Sequence, residues 1–229
     1  MDIHKPKPWH GLREFLKEYA IIVLGVLTAL GAEQAAEAIN EAHRARAAEI
    51  RVRQEAARTM ALAEERAATT PCVAAEVAKV RTFLTAADGA LPDVPPLRTP
   101  PFRPSFTAEW DSALATGLHE HFDGRERAFL PTVSSEARLM RETQVREREL
   151  WQRLATLEHY PRRLDPATRE SLLQTLTLAG KLNADLGGLS QQIVTNAQSA
   201  GLAPLQRDPD GSPVTHIAEL RAHGCQPWP

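Results

Sequence analysis

The longest apolar run in the chain lies near its N-terminus, where residues 19–32 read YAIIVLGVLTALGA and carry no charge. As a helix this run would extend about 21 Å, which is shorter than the roughly 30 Å hydrocarbon core of a bilayer. Apolar residues flank the run on both sides, and we predict a transmembrane signal anchor over residues 19–39. Two alternatives stay open, a cleaved signal peptide and a buried helix of a soluble domain.

Charge is distributed unequally around this run. Four Lys and Arg side chains lie in residues 1–18, whereas the first charges after the run are acidic. The positive-inside rule therefore predicts a single-pass protein of the bacterial inner membrane, with a cytoplasmic N-terminus and most of the chain in the periplasm. Residues 1–18 are interpreted as a basic cytoplasmic and interfacial segment, in which amphipathic anchoring is assigned to Trp9, Arg13, Phe15, Lys17 and Tyr19.

Small residues form a stripe through the predicted span. Gly25, Ala29, Ala32 and Ala36 follow one another at i, i+4, i+7 and i+11, so they share one helical face. Small side chains on one face let helix backbones approach closely in lipid. The stripe indicates self-association or packing against a partner membrane helix, in addition to contact with the lipid bilayer.

The N-terminal sequence HKPKPWHGLREFLKEYAIIVLGVLTALGAEQAAEA resembles the start of an uncharacterised group of bacterial single-pass membrane proteins. Proteins of that group open with a basic His/Lys/Pro segment, a REFLKE-type stretch and an IIVLGVLxALGAEQ span. The resemblance covers about residues 3–40, and a later WDSALATG around Trp110 is similar to an element of the same group. It supports the signal anchor and implies no activity.

Beyond the span, residues 40–87 are predicted to form a helical stalk followed by a short second helix. The stalk is rich in Ala, Glu, Arg and Gln, which are strong helix formers, and its few large apolar residues do not keep a strict heptad. Thr70-Pro71 is expected to break the helix, and Cys72 to begin the short one.

The remaining chain predicts an all-α fold. Residues 88–105 hold six prolines and are interpreted as an extended linker or lid. Residues 106–200 show helical spacing of apolar positions and predict a bundle of about four helices, the last opened by Asp165-Pro166. The charged run 146–149 is expected to be a solvated surface. Residues 201–229 are predicted to be an irregular tail.

Composition and motifs narrow the possible chemistry. With 27 Lys and Arg against 29 Asp and Glu, the net charge of −2 argues against a nucleic-acid partner. The chain carries no hydrolase or nucleotide-binding motif, so we predict no catalysis, no cofactor and no identifiable small-molecule substrate. The histidines also do not predict a metal site, because the candidates His119, His121, His216 and His223 do not converge at ligand spacing.

Two cysteines, Cys72 and Cys225, are separated by most of the chain. A periplasmic location permits a disulfide between them, which would tie the C-terminal tail to the end of the stalk. The absence of a C-x-x-C motif favours a structural bond over a catalytic one. Two free thiols in a reducing compartment are the alternative.

Two hypotheses for function follow. In the first, the protein is a membrane-anchored extracytoplasmic scaffold or accessory subunit that acts by protein–protein or self-association. In the second, the periplasmic helices form a ligand-sensing bundle with Trp110 and Trp151 lining a pocket. Sensing would require a separate transducer, because only about 18 residues are predicted on the cytoplasmic side.

Overall fold

The computed structural model describes residues 11–86, 96–159, 164–223 and 225. Over these ranges it contains helices and no β-strand, which confirms the predicted all-α class. Two short 3-10 turns, Leu118–His121 and Thr156–His159, join the helices. The helices are α1 (Leu12–Ala86), α2 (Ala108–Ala115), α3 (Gly124–Ala155), α4 (Pro166–Ser199) and α5 (Ile217–His223).

Three long helices make the core, with α4 packed against both α1 and α3. At one end of the bundle Val52 and Leu130 share a cluster with Ala197. At the other end Leu154 and Leu172 share a second cluster with the C-terminal part of α1. Residue numbers therefore rise along α1 and α3 and fall along α4, so α4 runs antiparallel to its two neighbours.

Buried positions on the long helices recur at intervals of three or four residues, which is coiled-coil spacing. On α3 this series is Glu126, Leu130, Val133, Ala137, Met140, Gln144, Glu147, Trp151 and Leu154, and Ser134 and Leu150 are buried beside it. On α4 it is Leu172, Leu176, Ala179, Asn183, Leu186, Ser190, Ile193 and Ala197, with Gly187 buried beside it. On α1 it includes Ala45, Ala48, Val52, Ala56, Thr59, Ala63 and Arg66, and Met60, Ala61, Leu62 and Glu65 are buried as well. Many of these side chains are small or polar, so the repeat is not visible from large apolar residues alone.

The predicted break at Thr70-Pro71 is absent, because α1 continues through Pro71 to Ala86. Pro71 is exposed, and α1 packs on α4 on both sides of it, through Ala63 on one side and Val73 and Val77 on the other. Continuing the helix keeps this buried surface, which outweighs a local proline cost of about 3 kcal/mol. The short second helix predicted after Cys72 is therefore wrong.

The predicted separation of stalk and bundle is also corrected. From Ala45 onward α1 is a core helix of the bundle and not a projecting stalk. Residues 106–200 supply two long helices and the short α2, and α1 completes the bundle. Alanine lets α4 approach α1 closely, and this close contact replaces the bulky apolar stripe that a predicted core helix normally shows.

Residues 96–107, here called the strap, cross the bundle without regular secondary structure. The amide of Leu97 donates a hydrogen bond to the Glu158 carboxylate (2.9 Å), and the hydroxyl of Ser105 donates one to the carbonyl of Ala137 (2.8 Å). Between these ends, Arg103 lies 3.7 Å from a carboxylate oxygen of Glu65. The strap is thus fixed to α1 and α3, whereas residues 87–95 of the predicted linker lie outside the described residues.

The C-terminal segment follows the outer side of α1. The amide of Leu205 donates to the carbonyl of Ala57 (3.0 Å), and the amide of His216 donates to the Glu65 carboxylate (3.2 Å). Residues 202–216 are largely irregular, as predicted, but α5 follows them and Cys225 is bonded to Cys72.

Two adjacent glycines of α4 make a matched test of this packing. A Cβ on Gly187 would lie 2.9 Å from Cγ2 of Thr70 on α1, whereas a Cβ on Gly188 would meet nothing within 4 Å. We expect Gly187→Ala to lower the free energy of unfolding by about 1–3 kcal/mol through overpacking. We expect Gly188→Ala to leave it unchanged or raise it by up to about 1 kcal/mol. Urea unfolding followed by circular dichroism checks both, and equal effects would contradict the close approach.

Candidate functional site

A cavity of about 350 Å³ lies between the strap and α3. Residues 99–102 of the strap line one side, and the α3 side is lined by Gln144, Glu147, Arg148, Trp151 and Gln152. Pockets that bind small molecules begin at about this size and combine apolar walls with a few placed polar groups. The cavity therefore has the dimensions of a small-molecule site.

Aromatic and proline side chains form the walls of the cavity. Trp151 is completely buried, and Pro100 and Pro101 lie across from α3. The guanidinium of Arg148 sits 4.4 Å above the centre of the Phe102 ring, a cation–π contact that joins α3 to the strap. Arg148 is otherwise exposed, so a positive charge stands at the edge of an apolar space.

A buried ion pair borders the cavity. Nη2 of Arg66 on α1 lies 2.9 Å from Oε1 of Glu147 on α3 and donates a second hydrogen bond to Oδ1 of Asn183 on α4 (2.9 Å). Arg66 and Glu147 are each about 97% buried. One polar residue from each long helix therefore meets in a single layer of the core.

Burial opposes the charge on both members of this pair. Desolvation raises the pKa of Glu147, and the nearby Arg66 guanidinium only partly offsets the rise. Desolvation likewise lowers the pKa of Arg66, against the attraction of Glu147. Because the two charges compensate each other, the net charge beside the cavity comes from Arg148.

Two other buried polar atoms at the cavity are unpaired. Nε1 of Trp151 and Oε1 of Gln144 have no hydrogen-bond partner within the described part of the chain. Their residues are 0% and 3% exposed. More than nine-tenths of buried polar groups in proteins are paired, so an unpaired donor and an unpaired acceptor about two turns apart on α3 are unusual.

The predicted transmembrane residues lie on an exposed part of α1. One 18-residue window near the N-terminus is long and apolar enough to cross a membrane, and none of it is buried. This contradicts the alternative of a buried helix within the same domain. The predicted packing residues are all exposed on this segment: Gly25, Ala29, Ala32 and Ala36.

The predicted anchoring residues lie at the start of the same helix. Arg13, Phe15, Lys17 and Tyr19 are exposed on α1, and the rings of Phe15 and Tyr19 stack with centroids 6.3 Å apart. Trp9 lies outside the described residues. The geometry thus places four of the five predicted anchors next to the apolar window.

The histidines face different neighbours. Nδ1 of His119 is 3.4 Å from the carbonyl of Ala113, and Nε2 of His121 is 3.5 Å from the carboxylate of Glu41. His216 lies 3.4 Å from Glu219, and the side chain of His223 is outside the described part. Within the described ranges no three His, Cys, Asp or Glu side chains are placed to hold a metal ion.

The predicted disulfide is present, because Cys72 and Cys225 are bonded in the structure. The two tryptophans of the ligand-sensing hypothesis are separated. Trp151 lines the cavity, whereas Trp110 is buried against α1 and meets the ring of His119 edge-on at 6.0 Å. A shared pocket lined by both tryptophans is therefore wrong, and Trp151 alone marks a cavity.

Glu147 and Gln144 were not among the predicted site residues. Glu147 belongs to the charged run predicted to be solvated, yet it is 2% exposed and paired with Arg66. Its position, three residues after Gln144 and four before Trp151, continues the buried 3-4 spacing of α3. Spacing, read without regard to polarity, was the signal that could have identified both residues.

Comparisons of the chain with protein-family models, with curated proteins and with solved structures find no match. Its function is therefore inferred from its own residues and geometry.

Proposed function

We propose that this protein is a membrane-anchored extracytoplasmic helical scaffold or accessory subunit that acts by protein–protein association, without catalysis. The supporting observation is the continuity of α1, which passes from an exposed apolar segment into the core of the bundle without a break. A continuous helix transmits position and orientation rigidly. The bundle is therefore held at a fixed height and angle relative to the membrane.

The dimensions of α1 fit this role. After the predicted anchor ends at residue 39, five exposed residues, 40–44, precede the first buried residue, Ala45. This stretch is about 8 Å long at 1.5 Å per residue, which carries the helix through the headgroup region. The bundle then begins just outside the bilayer, where a membrane partner would reach it.

Orientation follows from the charges around the span. The Lys and Arg residues of the first 18 positions favour a cytoplasmic N-terminus, and the absence of Lys and Arg from residues 33–43 is consistent with translocation of the bundle. The disulfide between Cys72 and Cys225 supports an oxidising compartment such as the periplasm. Together these features support a single-pass protein of the bacterial inner membrane.

Association is assigned to the exposed face of small residues on the span. In lipid, helices associate by close van der Waals packing, which small side chains permit. A Cβ at Gly25 would meet nothing within 4 Å in the described part of the chain, which leaves room there for a second helix. The partner is a second copy of the chain or the transmembrane helix of a larger complex.

Isoleucine substitution on that face tests the proposal. We expect Gly25→Ile and Ala29→Ile to reduce cross-linking of the full chain in native membranes about tenfold, equivalent to about 1.4 kcal/mol. Leu27→Ile is the control, because residue 27 lies about 200° around the helix from residue 25. The proposal is supported if the full chain cross-links to a second copy or to another membrane protein and both face variants abolish that cross-linking. Unchanged cross-linking in both would contradict association through this face.

A further inference from the structure

We propose that the collar, the surface formed by residues 42–50 of α1 and the 3-10 turn Leu118–His121, binds the phosphate groups of anionic membrane phospholipids. The inference rests on the proposed membrane anchor and adds a second lipid contact, which is made by the bundle itself. Three observations carry it: the depth at which α1 holds this surface, a groove in the surface, and arginines there that lack a counter-charge.

The depth of the collar follows from one contact. Nε2 of His121 lies 3.5 Å from the carboxylate of Glu41, so the turn is held beside α1 near the level of residue 41. This level is about 3 Å beyond the end of the predicted anchor at residue 39. The headgroup layer is about 5–7 Å thick on each side of the hydrocarbon core. When the anchor spans a bilayer, the turn therefore lies among lipid headgroups, and position alone identifies what the collar meets.

The side chains of α1 lean toward the bilayer at this level. In an α-helix each Cα–Cβ bond tilts toward the N-terminus, and the anchor lies on the N-terminal side of residues 42–50. No break separates the anchor from the collar, so this direction is fixed. Arg44 and Arg46 are exposed and begin about 8–11 Å beyond residue 39, so their long side chains reach back to the phosphates.

Three arginines at the collar carry charges without an acidic partner. Arg44, Arg46 and Arg127 are exposed, and none has a carboxylate within 4.0 Å in the described part of the chain. Nη1 of Arg127 donates a hydrogen bond to the carbonyl of Glu120 (3.1 Å), which places this guanidinium at the turn. Guanidinium groups bind phosphate oxygens in paired, charge-assisted hydrogen bonds.

The acidic side chains at this level do not cancel these charges. Residues 40–50 and the turn contain three of them, Glu41, Glu49 and Glu120. Glu41 is in contact with His121, which leaves two carboxylates beside three guanidinium groups. A surplus of positive charge favours a lipid with net negative charge over one whose phosphate is balanced by an ammonium group.

A groove of about 650 Å³ between α1 and the turn gives the phosphate a place. His43, Arg46 and His121 line it and offer N–H donors, and Glu49 also lines it. Ile50 contributes apolar surface and is 50% exposed. The groove thus combines donors for a phosphate with an apolar wall for the adjoining hydrocarbon of the same lipid.

Fluorescence quenching in lipid nanodiscs tests the depth. The full chain, with its native disulfide intact, carries one fluorophore on Glu120→Cys in the turn or on Gln174→Cys in α4. Gln174 is exposed and lies at the far end of the bundle, next to the cluster that contains Leu172. We expect a nitroxide on the lipid headgroup to quench the label at residue 120 and to leave the label at residue 174 unquenched.

A third label separates this proposal from the proposed anchor. A fluorophore on Leu27→Cys lies within the span, and a nitroxide on the lipid acyl chain should quench it. Quenching at residue 27 without quenching at residue 120 would overturn the collar and leave the anchor in place. Quenching at neither residue would overturn both.

Removal of charge tests the phosphate contact. Electron paramagnetic resonance with spin-labelled phosphatidylglycerol and spin-labelled phosphatidylcholine gives the relative affinity of the full chain for the two lipids. We expect Arg44→Gln with Arg46→Gln to lower the preference for phosphatidylglycerol at least about threefold. We expect Arg44→Lys with Arg46→Lys to retain most of it, because lysine also binds phosphate as a point charge.

The matched control is Arg146→Gln with Arg153→Gln, which removes two exposed arginines of α3 far from the membrane. Arg146 precedes Glu147, whose partner Arg66 lies about 40 Å along α1 from residue 39, several screening lengths at physiological salt. Circular dichroism confirms that each variant is as helical as the wild type. An unchanged lipid preference in the folded collar variant, or an equal loss in the control, would overturn the proposal.

Discussion

Replacing Glu147 with Leu while Arg66 stays in place is expected to lower the free energy of unfolding by about 3–5 kcal/mol. The guanidinium of Arg66 is 3% exposed and would remain in the core without its counter-charge. Asn183 and Thr70 still accept hydrogen bonds from it, but neither carries a negative charge. The cost is therefore that of an uncompensated buried cation.

Replacing both members of the pair is expected to behave differently. Burial raises the pKa of Glu147 and lowers that of Arg66, which means that desolvation costs each charge more than its partner returns. The double variant Arg66→Met with Glu147→Leu removes both desolvation penalties and fills similar volume. We expect its stability to equal or exceed that of the wild type.

Urea unfolding of the wild type, the two single variants and the double variant measures the coupling directly. A half-buried pair, far more accessible than Arg66 and Glu147, provides the control. Arg58 and Asp208 form a 2.9 Å ion pair with side chains 38% and 21% exposed, and Asp208→Leu is expected to cost at most about 1 kcal/mol. A similar cost for Glu147→Leu and Asp208→Leu would show that the buried pair is solvated in the folded protein.

Much of the bundle could be predicted because its signals are local. α3 carries large apolar residues such as Val133, Met140 and Leu154 at helical spacing, and all three are buried. The start of α4 is equally local. Asp165 accepts hydrogen bonds from the amides of Ala167 and Thr168, and Pro166 occupies the first turn, where a missing amide costs nothing.

The role of α1 in the core could not be predicted from large apolar residues. Ala48, Ala56 and Ala63 are buried because α4 approaches closely, and that approach is a property of the pair of helices. The helix break predicted at Pro71 was wrong for a related reason. Its local effect is to end a helix, but packing on α4 before and after it holds α1 together. Tertiary contact overrides both local signals.

Of the residues that line the cavity, only Trp151 was predicted from the sequence to line a pocket. A sequence shows that residues 96–104 are rich in proline, but not which helices such a segment crosses. Its path is set by distant polar contacts, for example between Arg103 and Glu65. The polarity of Gln144 and Glu147 suggested solvent exposure, although their spacing placed them in the core.

Loss of the disulfide is expected to be the second large effect. The bond between Cys72 and Cys225 spans a sequence separation of 153 residues. In the chain-entropy model, closing a loop of this length stabilises the fold by about 4–5 kcal/mol, because the unfolded chain loses many conformations. We expect Cys225→Ser to lower the free energy of unfolding by about that amount.

The local consequences of losing the bond follow from what holds the C-terminal segment to α1. Described contacts include the amides of Leu205 and His216 on Ala57 and Glu65, the half-buried pair of Arg58 and Asp208, and a small apolar cluster of Val214 with Ala61 and Leu62. The carbonyl of Cys225 also accepts a hydrogen bond from Nη1 of Arg98, so the bond supports one end of the strap. Without it, α5 and the strap are expected to open before the long helices, since these keep their own core.

Two measurements separate the global effect from the local one. Urea unfolding of the wild type with and without reductant gives the change in the free energy of unfolding. The reduced wild type should have the same free energy of unfolding as Cys72→Ser, Cys225→Ser and the double variant. Limited proteolysis detects local opening of the C-terminal segment, and we expect cleavage in residues 202–216 only after reduction. A loss of stability below about 1 kcal/mol, with no new cleavage, would mean that contacts along α1 alone fix the C-terminal segment.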